Sequence, residues 1–337
     1  MDGTVVVFRS VGEACLDQFE IPALEPDEVL IEAEYSAISA GTEAANLKQL
    51  PNTGTYEQGF PHRPGYSAAG YVIDAGRDVR TLKAGDRVIV PWGGHRSHVV
   101  KKAADVLRIE TDAVDLLEAS FAHIASFSFL GVRKLGLEIG ESVMIAGMGI
   151  LGAFAVQIAA LSGAIPVLAL DFDPARRALA LKLGAAAAFS PDQEHLVRTI
   201  KDATGGAGPD AVVEVTGSGA ALQQALEYIA WEGRVSLLGC TRVSDVPLDF
   251  YKYVHRRGIS LIGAHTSTRA RRESAPGRWT EHDDYRTFLK LVEAGKLQVR
   301  SLISEVVSPQ AATEVYSRLA ECPNPPLGVV FDWRQGG

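Results

Sequence analysis

The sequence predicts an α/β protein in which a doubly wound parallel sheet is joined to a β-rich, barrel-like module. Three observations carry this. The first hundred residues are short β-type runs broken by turn residues. From Ser142 onward, strand and helix patterns alternate. At the head of that alternation stands a glycine turn, Gly147-Met148-Gly149-Ile150-Leu151-Gly152, between an apolar strand and an apolar helix.

A chain of 337 residues exceeds what one core usually organises, so two domains are expected. Apolar residues make up 47% and charged residues 22%, the balance of a soluble globular protein. The net charge of −8 argues against nucleic acid or an anionic membrane as the partner and leaves a small-molecule substrate. Cys15, Cys240 and Cys322 lie far apart without a Cys-x-x-Cys pair. That spacing speaks for a reducing compartment, and against both a disulfide frame and a cysteine-rich structural zinc loop. The N-terminus has neither a basic region nor a long apolar core, so a protein without a signal peptide, in the cytoplasm, is expected. Ser142 to Leu170 carries no charge and is long enough to span a bilayer. Its glycines, proline and glutamine instead fit a buried strand, turn, helix and strand.

The β module comes first. "TVVVFRS", "VLIEAEYSAIS", "AAGYVIDAG", "DRVIVPW" and "RSHVVKK" are rich in Val, Ile and Tyr, with turns at Glu25-Pro26-Asp27 and Lys83-Ala84-Gly85-Asp86. A helical stretch with few breakers runs from about Val114 to Leu135. "SVMIAG" is then a buried strand and "ILGAFAVQIAALSGA" a helix ending in glycine. "PVLALDFD" is a second strand, and "PARRALALKLGA" a helix with proline in its first turn. The alternation continues through "ISLIGAH" near residue 264. The tail holds the helix "DYRTFLKLVEAGKL", the strand "LISEVVS", a further helix and the strand "LGVVFDW".

The glycine turn is a dinucleotide signature when it follows a strand and opens a helix, with an acid ending the next strand. Asp171, nineteen residues beyond Gly152, supplies that acid. Gly147 permits the tight turn, Gly149 lets the pyrophosphate approach, and Gly152 lets helix and strand pack closely. The helix N-terminus, at Ile150 and Leu151, offers N–H groups and a positive dipole end to phosphate. Asp171 can accept hydrogen bonds from the ribose hydroxyls of NAD and would repel a 2′-phosphate, so NAD is the expected cofactor. The alternative is that Asp171 caps the next helix together with Pro174, and Arg176 and Arg177 leave some use of NADP open.

With these residues in view, "GDRV" (Gly85–Val88), "GYSAAGYVIDAG", the strand-"GMGILG"-helix unit and "LISEVVSPQAATEVYSRLA" together resemble the medium-chain dehydrogenase/reductase superfamily, over nearly the whole chain. The resemblance implies a Rossmann sheet over 122–265, inserted into a GroES-like, β-rich catalytic domain of residues 1–121 and 266–337. It also implies a homodimer, joined through strands near residues 245–265. Many members hold a catalytic zinc. The three ligand positions fall on Ser39, on Tyr66, and near Ala122-His123. Serine and tyrosine are poor zinc ligands at neutral pH, and one histidine cannot complete a tetrahedral site. The structural-zinc cysteine loop is also absent, and "YSAISAGTE" and "APGRW" are similar to a zinc-lacking branch that includes bacteriochlorophyllide dehydrogenase-like proteins.

Without a metal, interconversion of alcohol and ketone needs a positioned donor for the substrate oxygen. Tyr66 and His123 are candidates from their ligand positions, each with core packing as the alternative. His95, after two glycines, is a candidate on the loop following "GDRV", whereas His98 reads as packed or outward-facing. Glu43 is a candidate to orient a histidine or Arg96, or else a solvated or capping acid, and Ser39 is either a substrate contact or a turn residue. On the cofactor side the resemblance points to Ser126 for the carboxamide and Arg269 for the pyrophosphate. Thr216-Gly217 and Gly239-Cys240 end strands at the edge where open α/β sheets bind ligands. Arg269, Arg271, Arg272 and Arg278 form a basic group that either binds an anion or is solvated.

Three functions fit. The first is a zinc-independent, NAD-dependent oxidoreductase of a secondary alcohol or ketone: a polyol, a sugar derivative or a larger ring compound. The second is an NADPH-dependent reductase of a quinone or an activated C=C bond, against which Asp171 counts. The third is a non-enzymatic nucleotide-binding protein.

Overall fold

The structure, a computed structural model, describes residues 2–243, 246–270, 273–276, 278–322 and 324–336. In its first part the chain forms strands β1 (Asp2–Ser10), β2 (Glu13–Glu20) and β3 (Glu28–Ala37), then helices α1 (Ala40–Leu47) and α2 (Gly54–Gln58). Strands β4 (Ser67–Ala75), β5 (Arg87–Pro91), β6 (His98–Lys102) and β7 (Leu107–Arg108) follow, with helices α3 (Leu116–Ala119) and α4 (Ala122–Arg133). The alternating part is β8 (Val143–Ala146), α5 (Ile150–Leu161), β9 (Val167–Leu170), α6 (Pro174–Lys182) and β10 (Ala187–Phe189). It continues with α7 (Leu196–Asp202), β11 (Ala211–Glu214), α8 (Gly219–Tyr228), β12 (Arg234–Leu237) and β13 (Ser260–Gly263). The last elements are α9 (Glu281–Glu293), β14 (Ile303–Val307), α10 (Ala312–Glu321) and β15 (Gly328–Asp332).

The chain divides into two compact units, one of residues 1–124 with 285–337 and one of residues 125–284. In the first, the strand order is β14-β15-β3-β4-β5-β7, with β6 also paired to β3. Alternation along β3 turns Val29, Ile31 and Ala33 inward, where they pack with Val72, Val88, Val90 and Val99 or with the terminal segments. The two ends of the chain share a core: Val6 and Phe8 of β1 pack with Val315, Tyr316 and Phe331. This explains how residues from both termini build one unit.

The second unit is a six-stranded parallel sheet in the order β10-β9-β8-β11-β12-β13. With β8 first in sequence and central in space, this is the doubly wound order whose strand-end crevice binds dinucleotides. Every residue of β8, β9 and β11 is buried, as strands covered on both faces require. The uncharged stretch 142–170 is the β8–α5–β9 unit, with nine residues of α5 buried. The predicted helix over 114–135 is two helices, because the chain turns at Ser120-Phe121. The first is capped by Asp115, which accepts from the Glu118 N–H at 2.8 Å. Among the described residues no helix is long and apolar enough to cross a membrane.

Candidate active site

The unit of residues 125–284 carries the glycine turn. Gly147 has φ +103°, and a Cβ there would lie 2.8 Å from Thr216 Cγ2, so glycine is required on both grounds. A Cβ on Gly152 would lie 1.9 Å from the Gly147 carbonyl oxygen, so the turn and the helix touch backbone to backbone. Gly149 differs: a Cβ there meets nothing within 4 Å among the described residues. Gly149 is also the N-cap of α5, and among the described residues no side chain caps that helix. The helix therefore opens on an uncapped end, at Ile150 and Leu151, beside empty space. That cradle fits a dinucleotide pyrophosphate.

Asp171 follows β9. Its Oδ2 accepts from the Met148 N–H at 2.8 Å and its Oδ1 from the Asp173 N–H at 2.8 Å. The carboxylate thus pins the glycine turn. The cap of α6 is Asp173, which accepts from Ala175 and Arg176 N–H groups. Arg177 donates to the carbonyls of Asp171 and Phe172 at 2.9 and 2.7 Å. The loops after β11 and β12 also meet at backbone distance: a Cβ on Gly217 would be 2.4 Å from the Cys240 carbonyl oxygen, and one on Gly239 2.3 Å from Gly217 N. Cys240 is exposed.

Sequence reasoning passed over the buried Glu214, which organises this turn. It accepts from the Thr216 N–H at 2.7 Å, from the Gly217 N–H at 3.0 Å and from the Thr216 hydroxyl. Burial pushes its carboxyl up, against these hydrogen bonds. An acid closing a buried strand just before Thr-Gly was the available signal. Arg269 donates from Nη2 to the Ser126 carbonyl at 2.8 Å and hydroxyl at 3.1 Å, and its Nη1 lies 3.0 Å from Glu281. Its guanidinium is thus buried among acids and Ser126. Arg278 pairs its backbone with Ala275, whereas Arg271 and Arg272 lie outside the described residues.

The other unit holds the remaining candidates in two groups. The first is a buried chain of hydrogen bonds. Ser39, the N-cap of α1, donates its backbone N–H to Glu43 Oε1 at 2.8 Å. Glu43 Oε2 lies 2.9 Å from His95 Nε2 and accepts from the Tyr316 hydroxyl. His95 Nδ1 lies 2.7 Å from Ser36 Oγ, which accepts from Trp333 Nε1 at 2.9 Å. His95 is fully buried and held at both ring nitrogens, an arrangement for positioning. Gly65, with φ +97°, makes room for it: a Cβ there would fall 2.6 Å from the imidazole ring. His98, on β6, bonds the Ser97 hydroxyl at 3.0 Å, and burial lowers its pKa.

The second group is aromatic. The Tyr66 and His123 ring centroids are 5.5 Å apart, edge to face. Trp92 lies 5.3 Å from Tyr66 and 4.7 Å from His123. His123 Nδ1 is 2.5 Å from the Tyr285 hydroxyl. Tyr66 and His123 are therefore brought together, with Trp92 and Tyr285 as partners the sequence reading did not name. Trp92 is half exposed and holds φ +55°, a backbone region costly for a tryptophan.

A Rossmann-type dinucleotide unit and a GroES-like sheet unit with a polar, aromatic site define a two-part dehydrogenase. The comparisons agree. The family model for the alcohol dehydrogenase GroES-like domain matches residues 25–156, and that for zinc-binding dehydrogenase matches residues 151–291. The chain belongs to the medium-chain dehydrogenase/reductase superfamily. It is 29% identical to L-threonine 3-dehydrogenase of Caldanaerobacter subterraneus, over 78% of this chain and 84% of that one. It is 26% identical to D-guloside 3-dehydrogenase of Escherichia coli K12, over 91% and 93%. Alcohol dehydrogenase TADH of Thermus sp. ATN1 shares the fold, with TM-score 0.82 and 21% identity over 98% of this chain and 99% of that one. An NADP-bound chain from Sinorhizobium meliloti 1021 does so as well, with TM-score 0.83 and 22% identity over 98% and 99%. The protein is an oxidoreductase of the alcohol dehydrogenase type. Among the described residues, no three His, Cys, Asp or Glu side chains are grouped to hold a metal ion.

Proposed function

We propose that the protein is an NAD-dependent dehydrogenase of secondary alcohols that works without zinc, on a polyol or sugar-like substrate. The observation that carries this is the pairing of Tyr66 with His123, itself bonded to Tyr285, at positions where a metal-dependent relative needs ligands. When bound, NAD supplies the hydride acceptor. The chain's own task is then to take the proton from the substrate oxygen. His123 suits it, since a histidine titrates near neutral pH and the bond between Nδ1 and the Tyr285 hydroxyl orients its ring. Nε2 is then the atom that exchanges the proton. The Tyr66 phenol is the second donor, stabilising charge on the oxygen. Asp171 supports NAD over NADP, through its place at the end of β9 beside the glycine turn.

Metal analysis of the purified protein, with activity measured before and after chelation, tests the zinc-independent part. Expected are far less than one zinc per chain and an unchanged rate. Stoichiometric zinc whose removal abolishes turnover would defeat the proposal. Titration with NADH and NADPH tests the cofactor: tighter NADPH binding would favour the quinone or enone reductase reading.

A further inference from the structure

We propose that Trp92 is a stacking platform for one face of a ring-shaped, polyhydroxylated substrate, a pyranoside or cyclitol, so that the site selects cyclic over open-chain alcohols; this rests on the dehydrogenase reading above. The register of the sheet sets the geometry. β4 and β5 are antiparallel with Ser67 opposite Pro91, so Tyr66 and Trp92 stand side by side at the same end of the pair. The Trp92 N–H extends this ladder by donating to the Tyr66 carbonyl at 2.9 Å. There the chain bends, with φ +55° at Trp92 and +78° at Gly94. The bend is anchored beyond the indole as well. Gly94 N–H donates to the Gly65 carbonyl at 3.1 Å and His95 N–H to the Pro64 carbonyl at 2.8 Å, and the His95 ring is held between Glu43 and Ser36. Trp92 therefore rests on a fixed support, which lowers the ordering cost of a contact made to it.

Tyr66 and His123 are buried, at 8% and 0% exposure, whereas Trp92 is 52% exposed. The indole is thus the solvent-facing member of the group. Its neighbours meet it at an angle, 45° for Tyr66 and 73° for His123, and among the described residues no ring lies parallel to it. A left-handed backbone is costly for tryptophan, and a half-exposed indole regains only part of the benefit of burial. Glycine would take the same backbone freely. Packing alone accounts poorly for a tryptophan at this bend, whereas contact with a bound ligand accounts for it. The chemistry of the indole narrows that ligand. Its electron-rich face attracts the slightly positive hydrogens of C–H groups. A pyranoside or cyclitol ring presents several such hydrogens on one face and hydroxyls around its rim, where Tyr66 and His123 stand. An open chain does not hold them in one plane, and it loses more freedom on binding. A wholly apolar alcohol suits an enclosed apolar pocket instead of an indole half open to water.

The test has two arms. In the first, kcat/KM is measured for a methyl pyranoside, a cyclitol, an open-chain hexitol and 1-phenylethanol, with wild type, Trp92→Asn and Trp92→Phe. Asparagine removes the ring but accepts the left-handed backbone, and phenylalanine keeps an aromatic face if Trp92→Asn fails to fold. Wild type should prefer at least one polyhydroxylated ring over the hexitol by about ten-fold or more. Trp92→Asn should lower that ratio about ten-fold, and Trp92→Phe should restore part of it. In the second arm, tryptophan fluorescence is followed as the pyranoside or cyclitol is added without turnover. The change seen in wild type should be lost in Trp92→Phe. A ratio near one in wild type, or a fall in Trp92→Asn shared equally by ring and chain, would overturn the platform and leave the dehydrogenase reading intact. Preference for 1-phenylethanol over every polyol would overturn it too, by assigning the indole to an aromatic substrate. A fluorescence change lost in Trp92→Phe, with no alcohol oxidised by any form, would support the platform and sink the dehydrogenase reading instead.

Discussion

His95 Nε2 sits 2.9 Å from Glu43 Oε2, with both side chains shut away from solvent. Burial alone would push the Glu43 carboxyl up. His95, the Tyr316 hydroxyl and the Ser39 N–H outweigh it, so the carboxyl is held below the ordinary range. A depressed folded-state pKa stabilises fully above the unfolded value, near 4.5 here, and that stability is lost as pH falls through the folded value. Glu43→Ala should cost about 3–5 kcal/mol near neutral pH, because it strands buried partners. Denaturant unfolding of wild type and Glu43→Gln should show a gap that is constant above pH ~4.5 and closes below it. A gap that widens on acidification would show that the carboxyl is not the ionised partner.

The edge-to-face pair of Tyr66 and His123 leads to a kinetic expectation. Tyr66→Phe and His123→Ala should each lower kcat by about 10²–10⁴-fold, the usual worth of a positioned proton donor or acceptor. Tyr285→Phe removes only the hydroxyl that orients His123. It should move the pH profile of kcat/KM more than it lowers the plateau rate. Rates unchanged in all three variants would leave these residues as packing.

Much of the fold was legible in local sequence. Turn residues between Val- and Ile-rich runs announced the β module, and the uncharged 142–170 stretch announced a strand–helix–strand unit buried on both faces. The glycine turn was legible because Gly147 and Gly152 each have a local steric reason and Gly149 leaves open space at the helix end. The site was less so. Tyr285 meets His123 from 162 residues away, and Tyr316 meets Glu43 from 273. Such pairings depend on which strands and helices the tertiary fold sets side by side, and no local pattern carries that. The positive φ of Trp92 is hidden for the same reason: the sequence around it shows a strand end, and only the ladder to Tyr66 reveals the bend.

Asp171 has two structural bonds besides any to a cofactor, so its replacement needs a measured readout of each role. Asp171→Asn keeps one acceptor oxygen and removes the charge. A charge-assisted bond to a ribose hydroxyl is worth about 1.5–3 kcal/mol, so NADH should bind about ten- to a hundred-fold more weakly. NADPH should bind as well as before or better, since repulsion of the 2′-phosphate is relieved. Fluorescence titration of both nucleotides, with the Tm recorded alongside, separates these effects. Equal weakening of both would assign Asp171 to the turn alone.

Gly149 and Gly152 stand three residues apart in the same turn but have opposite surroundings. A Cβ on Gly152 collides with the Gly147 carbonyl at 1.9 Å, whereas one on Gly149 enters open space. Gly149 also has φ −67°, which alanine adopts without strain. Gly152→Ala should therefore destabilise the protein by several kcal/mol, or about the cost of overpacking a tight site. Gly149→Ala should leave the Tm within a few degrees of wild type and still weaken dinucleotide binding, because its methyl group occupies the space beside the uncapped helix end where the pyrophosphate would lie. Thermal melts and NADH titration of the two variants check both expectations. A Gly149→Ala protein that binds NADH as tightly as wild type would show that the cofactor does not approach through this turn.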